Sequence, residues 1–301
     1  MKTLAVAVAV ILSLPERQAA AQACCIAPGA AGVTRLAPHE AALAGIDARA
    51  QATTGSFDAA GRFRTSPRGT RDIGLEQSLF ATVRVFERGQ LSATVPFVQT
   101  VRSTETLTAT GGGVGDIRGS VRWDVVFADD AWPWPGLALV GGVSAPTGRA
   151  PERAGDPLGA GSTGAGTTQG WAGFALEQTS GPWLAGANAT VTARAERDIG
   201  PIRVSLAPRF AAGLVGARAW RSGHALSLAA SWEIEDRASA NGAIVPGSAR
   251  RALRVVSALQ LRLGENARFV GSVYAIPPLP AVTAGEGSTL GLSLALVHPW
   301  S

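Results

Sequence analysis

The chain has 301 residues, of which 46% are hydrophobic, 16% charged and 6% aromatic, and its formal net charge is +5. So low a charge fraction covers a large water-facing surface poorly. The basic excess is arginine without any dense run, since Lys2 is the one lysine, and this excludes nucleic-acid binding through a basic patch.

Residues 1–23 read as a Sec signal peptide. Lys2 supplies the positive start, Thr3 to Leu14 the apolar stretch, and Ala21-Gln22-Ala23 a small-x-small cleavage site. The apolar stretch is too short to span a bilayer as a helix. Its removal takes away Lys2, Glu16 and Arg17 and lowers the formal charge from +5 to +4. The new N-terminus is then Cys24, followed by Cys25. A lipidation signal usually has Leu three residues before the cysteine and a small residue two before, but Ala21 and Gln22 stand there, so an unmodified Cys24 is expected. Neighbouring cysteines bridge each other only with strain, and the nearest histidine, His39, is distant in sequence. Residues 24–42 are expected to form a flexible periplasmic segment.

From there on the hydrophobic pattern has period two. Ile73, Leu75, Leu79, Ala81, Val83 and Val85 alternate with Asp72, Glu76, Ser78, Thr82 and Arg84. Leu91, Ala93, Val95, Phe97 and Val101 alternate with Gln90, Ser92, Thr94, Thr100 and Arg102. Ile117, Val121, Trp123, Val125 and Phe127 oppose Asp116, Arg118, Ser120, Arg122 and Asp124, and the last segment sets Leu290, Leu292, Leu294 and Leu296 on one face. Extended along the chain, the pattern predicts about twelve strands: 43–53, 72–87, 90–103, 115–128, 136–146, 169–178, 183–194, 202–218, 224–235, 252–263, 267–276 and 289–300. Most exceed the ~5–6 residues of globular strands and suit the ~9–11 that a tilted strand needs to cross a bilayer.

The connections alternate in length. Short turns at Glu87-Arg88-Gly89, Asp129 to Pro135, Thr179 to Pro182, Ala219 to Gly223 and Gly264-Glu265-Asn266 separate longer loops near 54–71, 104–114, 147–168, 195–201, 236–251 and 277–288. Short periplasmic turns, long external loops and an even strand count describe an outer-membrane barrel. Lipid offers no partner to an open backbone edge, so the ladder must close. The expected fold is therefore all-β, a transmembrane antiparallel up-and-down barrel over residues 43–301, in the outer membrane of a Gram-negative bacterium. Trp132, Trp134, Trp183, Trp220 and Trp300 fall at or beside the periplasmic ends, where an aromatic girdle belongs. Pro96 and Pro208 weaken the strands that contain them.

In this register the lumen-lining candidates are Glu76, Arg84, Arg102, Asp116, Arg118, Arg122, Asp124, Arg194, Arg203, Arg209, Glu233, Arg254 and Arg262. Two readings of them stand side by side: cross-paired charges that fill a narrow bore, or an arginine excess that tunes a water-filled passage toward anions.

Three stretches carry a family resemblance. Gly113-Val-Gly-Asp-Ile-Arg-Gly-Ser-Val-Arg-Trp123, Pro135-Gly-Leu-Ala-Leu-Val-Gly-Gly-Val-Ser-Ala-Pro-Thr-Gly-Arg149 and Leu176-Glu-Gln-Thr-Ser-Gly-Pro-Trp183 resemble the outer-membrane barrels of the meta-pathway of phenol degradation. Their Gly-Asp and Pro-Thr-Gly-Arg pieces read as strand-end markers. The resemblance implies a channel or transporter for small aromatic or other apolar compounds; the other reading is a structural or surface-interaction barrel with a plugged lumen. No enzyme is expected, because His39, His224 and His298 all fall away from the external loops. Neither a cofactor nor a metal is expected, and the Gly-rich loop Ala154 to Thr168 does not join a parallel strand to a helix as a phosphate cradle does. The expected partners are outer-membrane lipid, the barrel-assembly machinery and a small-molecule cargo.

Overall fold

A computed structural model describes residues 35–58, 60–128, 134–264, 266–279 and 282–301. The expected signal peptide, Cys24, Cys25 and Trp132 lie outside these residues. Twelve antiparallel strands pair in sequence order. They are β1 (Ala42–Phe57), β2 (Arg71–Val85), β3 (Gly89–Ser103), β4 (Thr108–Val114 continued by Ile117–Val126), β5 (Gly136–Ala145) and β6 (Gln169–Ser180). The second half is β7 (Trp183–Arg194), β8 (Arg209–Ala219), β9 (Ala225–Glu235), β10 (Arg250–Leu263), β11 (Ala267–Ile276) and β12 (Gly287–Trp300). β12 returns to β1 in register from Ala42↔Trp300 to Ser56↔Gly287, so the sheet closes and leaves no edge.

The alternation sorts as the sequence predicts. On β12, Leu290, Leu292, Leu294 and Leu296 are about half exposed on the outer face, while Ser293 among them and Val297 just after them are buried at 2%. The outer face is therefore an apolar band suited to hydrocarbon. The start of β1, the end of β12 and the turns near 86–88, 181–182, 220–224 and 264 lie at one end, called here the terminal end; the other is the loop end. Trp123, Trp134, Trp183 and Trp300 project outward near the terminal end, each more than 40% exposed. There the Arg218 guanidinium lies over the rings of Trp183 and Trp220, at 5.4 and 5.6 Å. Aromatic rings and a snorkelling arginine both fit a membrane interface.

Inside, three aromatic residues lie against the wall because a glycine stands directly across the ladder. Phe80 pairs with Gly45, Trp171 with Gly142 and Tyr274 with Gly291. A Cβ at Gly142 would fall 2.5 Å from Trp171 Cζ2, and one at Gly45 would fall 2.6 Å from Phe80 Cζ. Each ring occupies the space of the missing side chain, and the lumen stays open.

The structure departs from the sequence reading at four places. The loop expected at 104–114 is a turn at 104–107, and Thr108–Val114 continues the ladder on β3, so a long loop is missing from that position. The expected start of β4 at 115 is a bulge instead: Thr94↔Arg118 and Phe97↔Val114 bracket three residues facing two. Pro96 sits opposite this bulge, where the ladder is already interrupted and its missing N–H costs little, while its carbonyl accepts from the Gly115 N–H at 2.8 Å. Third, the expected strand 202–218 breaks before Pro208. Ile202–Ser205 leaves the barrel for a small four-stranded sheet with Arg197–Ile199, Ser239–Ala240 and Ala243–Ile244. Fourth, residues 35–41 of the expected flexible segment are folded into the terminal mouth, with Leu36, Ala37 and Glu40 no more than 1% exposed.

Candidate functional site

The lumen holds a chamber of about 660 Å³ between a floor at the terminal end and a roof at the loop end. The floor is the segment 35–41. Its apolar side is Leu36, packed with Leu43, Ala258, Val270, Ala295 and Val297 and against Phe80. Its polar side is held by four wall residues. Gln90 Oε1 accepts from the Leu36 N–H at 2.9 Å. Arg84 donates to the carbonyls of Ala37 and Glu40, at 2.6 and 2.9 Å. Arg268 pairs with the buried Glu40, and Glu177 with Arg35.

One network joins floor to wall. Arg122, 6% exposed, donates from Nε and Nη2 to Asp124 Oδ1 at 2.9 and 2.8 Å. Its Nη1 donates to Glu177 Oε1 at 3.0 Å. Asp124 Oδ2 accepts from Gln90 Nε2 at 3.3 Å, and Gln90 in turn grips Leu36. Within this network the buried Arg122 meets two carboxylates, Asp124 and Glu177, as a low-dielectric site requires.

The roof is the 147–168 loop, folded inward so that Thr163, Gly164 and Ala165 line the chamber. Asp116, at the β4 bulge, accepts from the N–H groups of Gly148 and Ala165 at 3.0 and 2.7 Å. Thr147 Oγ1 donates to the Gly115 carbonyl at 2.7 Å. The Gly-Asp and Pro-Thr-Gly-Arg stretches singled out in the sequence are therefore bonded to one another, as the clasp of the roof. Gly111 is needed here, since a Cβ would fall 2.5 Å from the Ala160 carbonyl. Arg102 holds the loop by donating to the carbonyls of Leu158 and Gly159, at 2.8 and 3.1 Å, and reaches Asp72 at 3.3 Å. Within the loop the N–H groups of Gly161, Ala160 and Leu158 converge on the Asp156 carboxylate at 2.8–3.0 Å. Those bonds, the Gly161 one foremost, hold its carboxyl below the usual aspartate range.

Of the sequence candidates, Glu76, Asp116, Arg118, Arg122, Arg209, Glu233 and Arg254 line the chamber. Arg84 and Asp124 secure the floor and Arg102 the roof. Arg194 faces inward but is bound to Glu235 at 2.5 Å. Two candidates are misplaced. Arg203 belongs to the small outer sheet, where it is 67% exposed and pairs with Asp198 at 3.3 Å. Arg262 keeps the inward parity of β10 but lies exposed at the terminal rim, bonded to the Gly264 carbonyl at 2.9 Å. Sequence reasoning missed Arg35, Asp47, Arg49 and Glu177 on the chamber wall. Asp47, Arg49 and Glu177 share the inward parity of their strands, a signal that was available; Arg35 precedes the barrel and had none.

Among the described residues no three His, Cys, Asp or Glu side chains group as a metal site. His224 Nδ1 accepts from the Arg262 N–H at 3.1 Å, and His298 meets Trp300 edge to face, with ring centroids 4.5 Å apart.

No protein-family model and no curated protein matches the sequence. Among solved structures, the COG4313 outer membrane channel from Pseudomonas putida F1 superposes with a TM-score of 0.74 at 13% identity, over 91% of this chain and 100% of that one. The transport unit of the autotransporter AIDA-I from Escherichia coli gives 0.46 at 11% identity, over 89% and 93%. The CymD monoaromatic hydrocarbon channel gives 0.45 at 9%, over 87% and 89%. The first likeness establishes the fold, that of a bacterial outer-membrane barrel.

Proposed function

We propose that the protein is a channel of the Gram-negative outer membrane for small solutes, exported by the Sec route and inserted by the barrel-assembly machinery. The observation that carries this reading is the chamber itself. Twelve strands could be filled by side chains, yet about 660 Å³ stays open, walled by charged and polar groups alongside apolar ones. The wall aromatics fill the places that side chains at the facing glycines would take. The barrel with the same architecture from Pseudomonas putida F1 is described as a channel, which agrees with this reading. The mixed wall suits cargo with an apolar body, in keeping with the sequence resemblance to barrels for small aromatic or other apolar compounds.

The segment 35–41 closes the terminal mouth, so passage requires it to shift or leave. Planar-bilayer recordings on the intact protein and on a variant lacking residues 35–41 test this. The deletion variant is expected to conduct steadily and more than the parent. A folded deletion variant that stays silent would favour the second reading, a structural barrel, which the buried Arg122 network supports.

A further inference from the structure

We infer that the chamber binds a small organic anion with an apolar body, its charge met by Arg118 and Arg254 from opposite walls; the inference rests on the lumen being a solute passage. Six arginines line the chamber. Arg35 and Arg122 are neutralised by Glu177 and Asp124, and Arg209 by Glu233 at 3.6 Å. Arg49 forms no ion pair among the described residues, but it stands directly across the ladder from Glu76, shares its strand face with Asp47 and lies over the Tyr274 ring at 5.8 Å. Arg118 and Arg254 line the chamber and also form no ion pair among the described residues. The remaining chamber carboxylate, Asp116, is committed to the backbone N–H groups of the roof.

The ring places Arg118 and Arg254. Arg118 is on β4 and Arg254 on β10, six strands apart in a ring of twelve, so they stand on opposed walls. An anion between them is approached from both sides by planar donors suited to carboxylates. Toward the floor the wall turns apolar: Phe80, Val270 and Val297 line the chamber and pack with Leu36. A ligand with a carboxylate at one end and a hydrocarbon body at the other satisfies both regions. A neutral hydrocarbon would leave the Arg118 and Arg254 charges without a counter-charge, and a small inorganic anion would leave the apolar floor wet.

The test is calorimetric titration of the full-length protein in detergent with sodium benzoate and with benzamide, a neutral compound of nearly the same shape. The parent, Arg118→Gln, Arg254→Gln and the double variant are compared, each first checked for heat-modifiable migration. The parent is expected to prefer benzoate by roughly tenfold or more, as for a charge-assisted bond, and the double variant to lose that preference while still binding benzamide. Equal affinity for both compounds in the parent, no binding of either, or an undiminished preference in the double variant overturns the inference. Bilayer recordings separate this from the channel reading. Conductance without benzoate binding leaves the channel and sinks the anion site, whereas benzoate binding without conductance does the reverse.

Discussion

Replacing Arg122 by Gln tests whether the lumenal charges are structural. The substitution removes three charge-assisted hydrogen bonds, two to Asp124 and one to Glu177, from a side chain that is 6% exposed. Glu177 keeps Arg35 and Asp124 keeps the Gln90 amide, so neither carboxylate is wholly abandoned. Three such bonds at roughly 1.5–3 kcal/mol each set the ceiling, and the surviving partners bring the expected cost to about 3–5 kcal/mol, the range for breaking a buried pair. The control is Arg118→Gln, which loses an exposed guanidinium with no ion pair among the described residues and should cost under about 1 kcal/mol. Urea titration of both variants in lipid vesicles, followed by tryptophan fluorescence and by heat-modifiable migration, measures the difference. The cost should also fail to add: Arg122→Gln combined with Glu177→Gln should cost less than the two separately, since they share one network. Equal midpoints for the two arginine variants, or an Arg122→Gln midpoint at the parent value, would refute the structural reading of this network.

Leu294→Arg should impair assembly by about 2–4 kcal/mol, the cost of arginine facing the bilayer midplane, whereas Asn188→Arg, on the chamber wall, should assemble normally; equal yields in vesicles would refute the register. Gly142→Ala sets a Cβ 2.5 Å from both the Trp171 ring and the Gly119 carbonyl. It should cost about 1–3 kcal/mol as overpacking, and a parental urea midpoint would show that the glycine is not needed. Asp156 is held below its usual range by backbone N–H groups of the roof loop. Its contribution is thus fully present above the ordinary aspartate value and lost as pH falls below about 4. Amide exchange at Leu158, Ala160 and Gly161 should accelerate there relative to Asp156→Asn, and identical pH profiles for the two proteins would count against it.

The twelve strands, their inward and outward faces and the barrel class were legible in the sequence, because strand periodicity is local: a residue's parity already says whether it meets lipid or lumen. The same locality produced the errors. Thr108–Val114 is Gly-rich and reads as loop, and it becomes strand only because β3 offers it a partner. Arg203 and Arg262 have the parity of lumenal residues, but parity is silent on whether the strand has left the barrel, as at Ile202–Ser205, or reached its rim, as at Arg262.

By itself, then, the sequence determined which side chains turn inward, since alternation costs nothing to read and a slip of one residue would put arginine into hydrocarbon. Only the tertiary structure decided what they do there. That Glu177 binds Arg35 and Arg122 and that Asp116 clasps the roof depend on partners 32 to 142 residues away in the chain. Those distances close only when β12 meets β1, and the charges then pair or stay free according to their height and position around one ring.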